Sequence, residues 1–309
     1  MKKTTDLSIC IVNYKADKEL KRCLDSIKKF TKSISLEVIV IDNSLDNKWY
    51  SGGNNLALAR AKGKYILFLN PDCYLTYDIL SKFVSWMDKH PKVGASEPRQ
   101  IYDNGGIAPT GSLLPVWWVD GVELTILNKW APKYASFVSW SSSTQPKSAT
   151  TGFGRTGDFF LRKKTGPSEE IGRIFGWMMR FRQIDKDRRE NWRTEVVSGA
   201  AMMVRKKVLE NLDGFDEKLK LYYTDVDLCR RILSAGFEIW HLGKFSLGHS
   251  TRKSTDKLKW DELYDIYAQD GLNYYSKWGQ KSEGKILLVA MKLNKLIVRV
   301  GKGLGGLGG

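Results

Sequence analysis

The chain's 309 residues make one large domain or two modest ones, long enough to bury a real core. A formal charge of +16, with Lys and Arg scattered rather than blocked, suits anionic partners: nucleotide phosphates, nucleic acid or an acidic membrane leaflet. Cys10, Cys23, Cys73 and Cys229 are far apart with no C-x-x-C spacing, which argues against disulfides and zinc and for buried reduced thiols. No uninterrupted apolar run reaches the length of a transmembrane helix. Met1–Asp6 leads straight into a strand-like segment without a signal-peptide pattern, so a cytoplasmic protein is expected.

Leu7–Val12 reads as a first buried strand, closed by Asn13-Tyr14. Asp17–Phe30 follows with Leu20, Cys23, Leu24 and Ile27 on one helical face. Leu36–Ile41 is a second strand and ends at Asp42-Asn43-Ser44. Ser51-Gly52-Gly53-Asn54-Asn55 reads as a loop that opens a helix over Leu56–Lys62, with Gly63 as its C′ residue. Tyr65–Leu69 is a continuous apolar run, suited to a strand buried on both faces of a parallel sheet. Asn70-Pro71 stops it, because proline has no N–H for a ladder. Asp72 therefore sits just past a buried strand, at the edge where open α/β sheets bind ligands. No G-x-G-x-x-G follows the first strand, so the usual dinucleotide reading loses its main support.

Ile79–Lys89 is amphipathic, and Val93–Ser96 reads as a strand. From Ile101 to about Asn191 the pattern degrades into an expected insertion or cap. It holds Trp117-Trp118, Ser139–Ser143, Gly152-Phe153-Gly154 and a basic, aromatic stretch from Arg173 to Arg193. Thr194–Val204 reads as a strand with a tight approach at Ser198-Gly199-Ala200, followed by a short helix over Arg205–Asn211. Leu221–Arg231 leads into a helix that ends at Gly236, then a short strand over Phe237–Leu242, with His249 and Arg252 in the loop beyond. Tyr264–Trp278 is an aromatic-rich helix, Ile286–Val300 is apolar with interspersed Lys and Arg, and Gly301–Gly309 reads as a flexible tail.

Asn13, Asp42, and Asn70 with Asp72 stand at the ends of the three early strands. Each alone suits a turn. Three in register along one edge point to a ligand: Asp42 to accept from a nucleobase N–H, Asp72 to hold a hard divalent cation between two phosphates. The Gly52-Gly53-Asn54-Asn55 loop lets backbone approach a phosphate or ribose, or simply starts a helix. Thr224-Asp225-Val226-Asp227 has the form of a capping box, which employs Thr224 and Asp227. Asp225 is left at a helix N-terminus, where the dipole favours its ionised form and makes it a candidate general base. For His249, a ligand or phosphate contact and a surface-loop role stand side by side.

Leu7–Tyr14, Val38–Asn43, Gly52–Asp72 and Val197–Arg231 together resemble the inverting nucleotide-sugar glycosyltransferases of family 2, most closely the rhamnosyltransferase-like branch that builds bacterial surface polysaccharides. The resemblance implies an α/β GT-A fold: a Rossmann-like nucleotide-binding half with a mixed central sheet, fused to an acceptor-binding half, plus an inserted middle segment and C-terminal helices. The corresponding regions are 1–111, 194–255, 112–193 and 256–309.

Carried over by residue, Asp42 resembles the base-reading aspartate, and Asn70-Pro71-Asp72 stands in the place of the D-x-D metal motif with Asp72 as the surviving ligand. Ser198-Gly199-Ala200 matches the stretch lining the donor sugar, Asp225 the catalytic base, and His249 with Arg252 the late region near metal and diphosphate. Asn13, Tyr14, Asn43, Gly53, Asn54 and Asn70 complete the expected nucleotide-sugar site, with Asp72 and His249 as metal ligands for Mn2+ or Mg2+. The resemblance implies a dTDP- or UDP-sugar donor, best matched by dTDP-rhamnose, and a glycan or polyprenyl-diphosphate-linked glycan acceptor. Two departures stand out: Thr224 replaces the usual Glu, and Asn70 the first Asp of D-x-D. Ile286–Val300 suits either a packing helix or peripheral contact with anionic membrane. Nucleic acid is not the expected partner, since no nucleic-acid motif accompanies the charge. A scaffold role for a catalytically dead relative is the other rival, motivated by Thr224.

Overall fold

The computed structural model describes residues 5–117, 120, 183, 186–250 and 259–305. The expectations for Trp118, Ser139–Ser143, Gly152–Gly154 and Arg252, and for most of Arg173–Arg193, fall outside the described residues. The elements run β1 (Leu7–Asn13), α1 (Asp17–Phe30), β2 (Leu36–Asp42), α2 (Trp49–Leu58), β3 (Tyr65–Leu69), β4 (Cys73–Tyr74), α3 (Leu80–Lys89) and β5 (Val93–Tyr102). They continue with β6 (Asn191–Thr194), β7 (Ala201–Arg205), α4 (Lys206–Asn211), α5 (Thr224–Ser234), β8 (Glu238–His249), α6 (Trp260–Lys277) and α7 (Lys281–Gly305).

Among the described residues eight strands form one mixed sheet in the order β2-β1-β3-β7-β5-β8-β4, with β6 also on β8. The first half is parallel, β1 lying between β2 and β3. β7 enters antiparallel between β3 and β5, and β5 runs parallel to β8. Side chains alternate across the pleat, so each strand feeds two cores. Ile9, Ile11, Leu67 and Leu69 pack with Cys23 and Ile27 of α1 and Phe83 and Met87 of α3. Cys10, Ile66 and Phe68 face the other way, onto Ala57 of α2, Leu209 of α4 and Ile232 of α5. All five residues of β3 are buried, as its unbroken apolar run requires. The four cysteines are free and buried, and burial lifts the thiols of Cys10 and Cys23 to a pKa of about 12.

Several local expectations are corrected. Residues 51–55 are not a loop: α2 begins at Trp49 and runs through both glycines. Gly53 is there for closeness, since a Cβ would lie 2.8 Å from Val12 Cγ1 of β1. Gly63 is not a helix C′ residue, because α2 has already ended at Leu58; its Cα faces the β1 backbone, and its N–H donates to Ser8 Oγ at 2.7 Å. The strand expected over Thr194–Val204 is two, β6 and β7, separated by the turn at Ser198–Ala200. The capping box does not form. Tyr223, at φ +57°, precedes α5, and Asp227 instead binds Arg231, Lys277 and Trp278. β8 extends to His249, so that histidine ends a strand rather than standing in a loop. The tail expected from Gly301 continues α7 as far as Gly305.

The end of α5 is as expected. Gly236 has φ +84°, its N–H bonds to Leu233 O, and the next N–H, of Phe237, bonds to Ile232 O. That pair of bonds is a Schellman motif.

A Cβ added at Gly63 would meet the backbone of Leu7 and Ser8, which cannot retreat without disturbing β1. Gly63→Ala is expected to cost about 1–3 kcal/mol of stability. A urea titration checks it, the midpoint falling at unchanged slope.

Candidate active site

The parallel register brings Asn13 and Asp42 side by side at the carboxyl ends of β1 and β2. Asp42 is exposed, and its carboxylate accepts the Ser44 N–H at 2.9 Å; hydrogen bonding from the Ser44 hydroxyl and N–H holds its pKa below the usual carboxylate range. It is therefore an ionised acceptor open to an incoming N–H. Asn13 is already employed: its amide donates to Asp17 at 2.8 Å and accepts the Ala16 N–H, so it starts α1. Asn54 is likewise tied, to Tyr50 O at 3.0 Å. Asn43 is buried and donates to Trp49 O at 2.9 Å, while its Oδ1 finds no partner. Gly53 backs onto it, within 3.2 Å of the Asn43 amide nitrogen if a Cβ were present. Tyr14, half-buried, has the Lys15 ammonium 5.2 Å from its ring.

Past β3, the Asn70 N–H donates to Ala200 O at 2.8 Å and the Cys73 N–H turns back to Asn70 O. This aims Asp72 toward the end of β8, where Cys73 pairs in register with His249. Asp72, Cys73 and His249 offer three donor atoms within 4.8 Å of one another, with His249 Nε2 3.4 Å from Asp72 Oδ1. Asp72 Oδ1 and His249 Nδ1 are buried without a hydrogen-bond partner. Two orphaned donors of this kind, one carboxylate and one imidazole, fit a divalent cation such as Mn2+. Cys73 does not complete the set. Burial holds its thiol protonated, and Sγ–H points to Ala200 O at 3.4 Å. The remaining positions of such an ion would fall to ligand or water oxygens.

Asp225 is the second residue of α5. Its Oδ2 accepts the Gly199 N–H and its Oδ1 the Val226 N–H, both at 2.9 Å. Burial raises its pKa, the Glu97 charge adds to the rise, and the peptide N–H bonds pull it back. The result is a carboxylate with a fixed orientation and a basicity above that of free aspartate, as a proton acceptor requires. The turn at Ser198-Gly199-Ala200 links both parts of the site, since Gly199 holds Asp225 while Ala200 O receives Asn70 and Cys73. Tyr50 OH closes the turn from α2 by donating to Gly199 O at 2.7 Å.

Sequence reasoning passes over several residues that shape this site. Glu97 of β5 accepts the Ser198 N–H at 2.8 Å, and Arg22 of α1 reaches Ser250, beside His249, at 2.8 Å. Asp120 accepts the hydroxyls of Tyr223 and Tyr275, each at 2.6 Å, and Asp270 of α6 accepts three consecutive N–H groups of residues 220–222. None carries a spacing signal, because their partners lie 48 or more residues away.

A mixed sheet with a parallel nucleotide-type half, a carboxylate–imidazole pair past β3 and a carboxylate at a facing helix N-terminus defines a GT-A fold. Residues 44–135 match the family model described as Glycosyl transferase family 2, which bears out the resemblance over that stretch. No curated protein matches the chain. Among solved structures it is similar to mannosyltransferase PcManGT from Pyrobaculum calidifontis in complex with GDP-Man and Mn2+. That likeness has 14% identity and a TM-score of 0.50, over 92% of this chain and 68% of that one. It is also similar to S. aureus TarS 1-349, at 14% identity and TM-score 0.45, over 88% of this chain and 72% of that one. For TarS 1-349 in complex with UDP-GlcNAc the identity is 16% and the TM-score 0.48, over 87% and 67%.

Asp72→Asn and His249→Ala are each expected to weaken Mn2+ binding at least about tenfold, roughly 1.4 kcal/mol. Cys73→Ser is expected to leave it unchanged. Calorimetric titration with Mn2+ in the presence of UDP reads all three.

Proposed function

We propose that the protein is an inverting, divalent-metal-dependent glycosyltransferase that moves a hexose-type sugar from a nucleoside-diphosphate donor to an acceptor hydroxyl. The observation that carries this is the single turn at Ser198–Ala200, which joins the Asp225 carboxylate to the Asp72–His249 pair. The family model over residues 44–135 supports the same reading.

In this mechanism Asp42 binds the base through an N–H, and Asn43, Tyr14 and Gly53 line the nucleoside beside it. Asp72 and His249 hold the cation, which when bound would supply charge neutralisation to the leaving diphosphate. Asn70 and the Ser198-Gly199-Ala200 backbone border the sugar, and Arg252 is assigned to the diphosphate. Asp225 takes the proton of the acceptor hydroxyl as its oxygen attacks the anomeric carbon; the carbon–oxygen bond to the diphosphate breaks in the same displacement, so configuration inverts. The charge of +16 draws an anionic donor toward the site.

Within this reading the donor is dTDP-rhamnose, with a UDP-hexose as the alternative, because Asp42 suits the imide N–H of thymine or uracil. The acceptor is a glycan or a polyprenyl-diphosphate-linked glycan of a cell-surface polysaccharide, reached from the cytoplasmic side. No described helix is long and apolar enough to cross a membrane. Peripheral contact is favoured by α7, which is apolar on two sides. It buries Leu287 and Met291 against the aromatic cluster of α6, yet Ile286, Val289, Leu293, Leu296 and Ile297 stay 53–58% exposed. Lys285 and Lys292 lie exposed beside that stripe, where anionic headgroups would meet them.

The first test is thermal stability with UDP, dTDP and GDP, each with Mn2+ or EDTA. A metal-dependent rise confined to UDP or dTDP is expected, and no rise with any nucleotide would overturn the reading. Asp225→Asn should cut transfer by about 10²–10⁴-fold with nucleotide binding retained. Because the Asp225 pKa is raised, the wild-type rate should fall on acidification at a pH above the ordinary carboxylate range, as the base becomes protonated. The double variant Leu293→Glu/Ile297→Glu should lose flotation with anionic liposomes while keeping its melting temperature.

A further inference from the structure

Glu97 and His241 face each other in register across β5 and β8, both with no exposed surface. Glu97 Oε1 lies 3.0 Å from His241 Nδ1, and His241 Nε2 lies 3.2 Å from the carbonyl oxygen of Arg188. A carbonyl only accepts, so Nε2 carries a hydrogen. One further proton must then lie between Nδ1 and Oε1, on either atom. The pair is therefore neutral overall, either as imidazolium with carboxylate or as imidazole with carboxylic acid. The N–H of Ser198, donated to the other oxygen of Glu97 at 2.8 Å, favours the carboxylate.

The pair is built tightly. Trp192 of β6, opposite His241 in the ladder, stacks on the imidazole with ring centroids 3.9 Å apart. Gly111, at φ +80°, lets the chain pass, since a Cβ would lie 3.3 Å from the Trp192 ring and 3.5 Å from Glu97 Oε1. The Arg188 guanidinium lies 5.6 Å from the Trp192 ring. On the other side, Ser198 is followed by Gly199, whose N–H binds Asp225 at 2.9 Å. Two consecutive peptide N–H groups thus point to two carboxylates, one sealed in the sheet and one in the site.

We propose that Glu97 and His241 are positioning residues for Asp225. The buried pair anchors the Ser198 peptide, the anchored peptide aims the Gly199 N–H at Asp225, and the Glu97 charge adds to the basicity that burial gives that carboxylate. The charged and titratable groups acting on Asp225 come from each neighbouring element: Glu97 from β5, Tyr50 from α2, and Cys229 from its own helix. Tyr50 and Cys229 are both held neutral by burial, which leaves Glu97 as the like charge. His241 balances Glu97 from the far side, so the carboxylate is tolerated in the sheet while its field still reaches Asp225. The consequence for catalysis rests on Asp225 acting as the base; the placement and basicity of Asp225 do not.

Glu97→Gln separates charge from geometry. Its amide accepts the Ser198 N–H and donates to Nδ1 of a neutral His241, so every hydrogen bond survives while the carboxylate charge on the Asp225 side and the imidazolium charge behind it both go. Glu97→Ala removes both. Hydrogen exchange over residues 198–200 should rise about tenfold or more in Glu97→Ala and stay at the wild-type level in Glu97→Gln. The Asp225 carboxyl, followed by carbon NMR with Asp225→Asn to assign it, should titrate at lower pH in Glu97→Gln than in wild type. Hydrolysis of dTDP-rhamnose with Mn2+, normalised to folded protein, should fall about a hundredfold in Glu97→Ala with unchanged dTDP affinity, and recover in large part in Glu97→Gln.

Wild-type exchange over 198–200 in Glu97→Ala overturns the proposal, and so does an unshifted Asp225 titration in Glu97→Gln. If Glu97→Ala does not fold, the titration of the isosteric Glu97→Gln decides alone. If wild type and Asp225→Asn hydrolyse the donor equally, the assignment of Asp225 as base fails, while exchange and titration still decide the role of the pair.

Discussion

The backbone of three residues, Ser198, Gly199 and Ala200, carries the constraint on which the site depends. The turn lies between β6 and β7, where the parallel half of the sheet joins the half that supplies Asp225. Polar groups in such a place must all be partnered, because a lost bond there is not replaced by water. They are: Ser198 N–H by Glu97, Gly199 N–H by Asp225, Gly199 O by Tyr50, and Ala200 O by Asn70 and Cys73. Glycine at 199 leaves room for the Tyr50 side chain, since a Cβ would stand 2.6 Å from Tyr50 Oη. Geometry at the cation pair and at the carboxylate is thereby set by one short stretch of chain.

The same carboxylate is held from behind by a brace at the start of α5. Tyr223, immediately before the helix, adopts φ +57°, a region that disfavours a bulky side chain. It is kept there by Asp120 on its hydroxyl and by rings of Tyr267, Tyr274 and Tyr275 around it. Asp270 gathers the three N–H groups of residues 220–222 just upstream. Helix α6 thus fixes the loop that leads into the first turn of α5, where Asp225 stands. Thr224, which stands where the resemblance expects a glutamate, is buried beside this brace, with its hydroxyl directed to Leu221 O.

Electrostatics divide the acidic residues by environment. Asp42 is exposed and readily ionised, Asp225 is pushed toward higher pKa by burial, and Glu97 is buried opposite an imidazole. Three carboxylates within one chain therefore suit three tasks: accepting from a base, accepting a proton, and holding a peptide. The strongly basic background around them favours anionic ligands over cationic ones.

The sequence by itself determined the elements whose signal is local. The apolar run of β3 and its arrest at Asn70-Pro71, the one-sided pattern of α1, and Gly236 closing α5 are all present as expected, because each depends on neighbours within a few residues. It also singled out Asp42 and Asp72 past the ends of apolar strands, Asp225 at a helix N-terminus and His249 in a loop. Only the tertiary structure decided what the glycines were for: Gly52 and Gly53 looked like a loop, yet both lie inside a helix, and Gly53 lets it press against Val12. It alone released Thr224 and Asp227 from a capping box, since Lys277 and Trp278 at the end of α6 claimed Asp227 instead. And it alone joined Glu97 to His241, 144 residues apart, because strand register is a property of the assembled sheet and leaves no trace in local spacing.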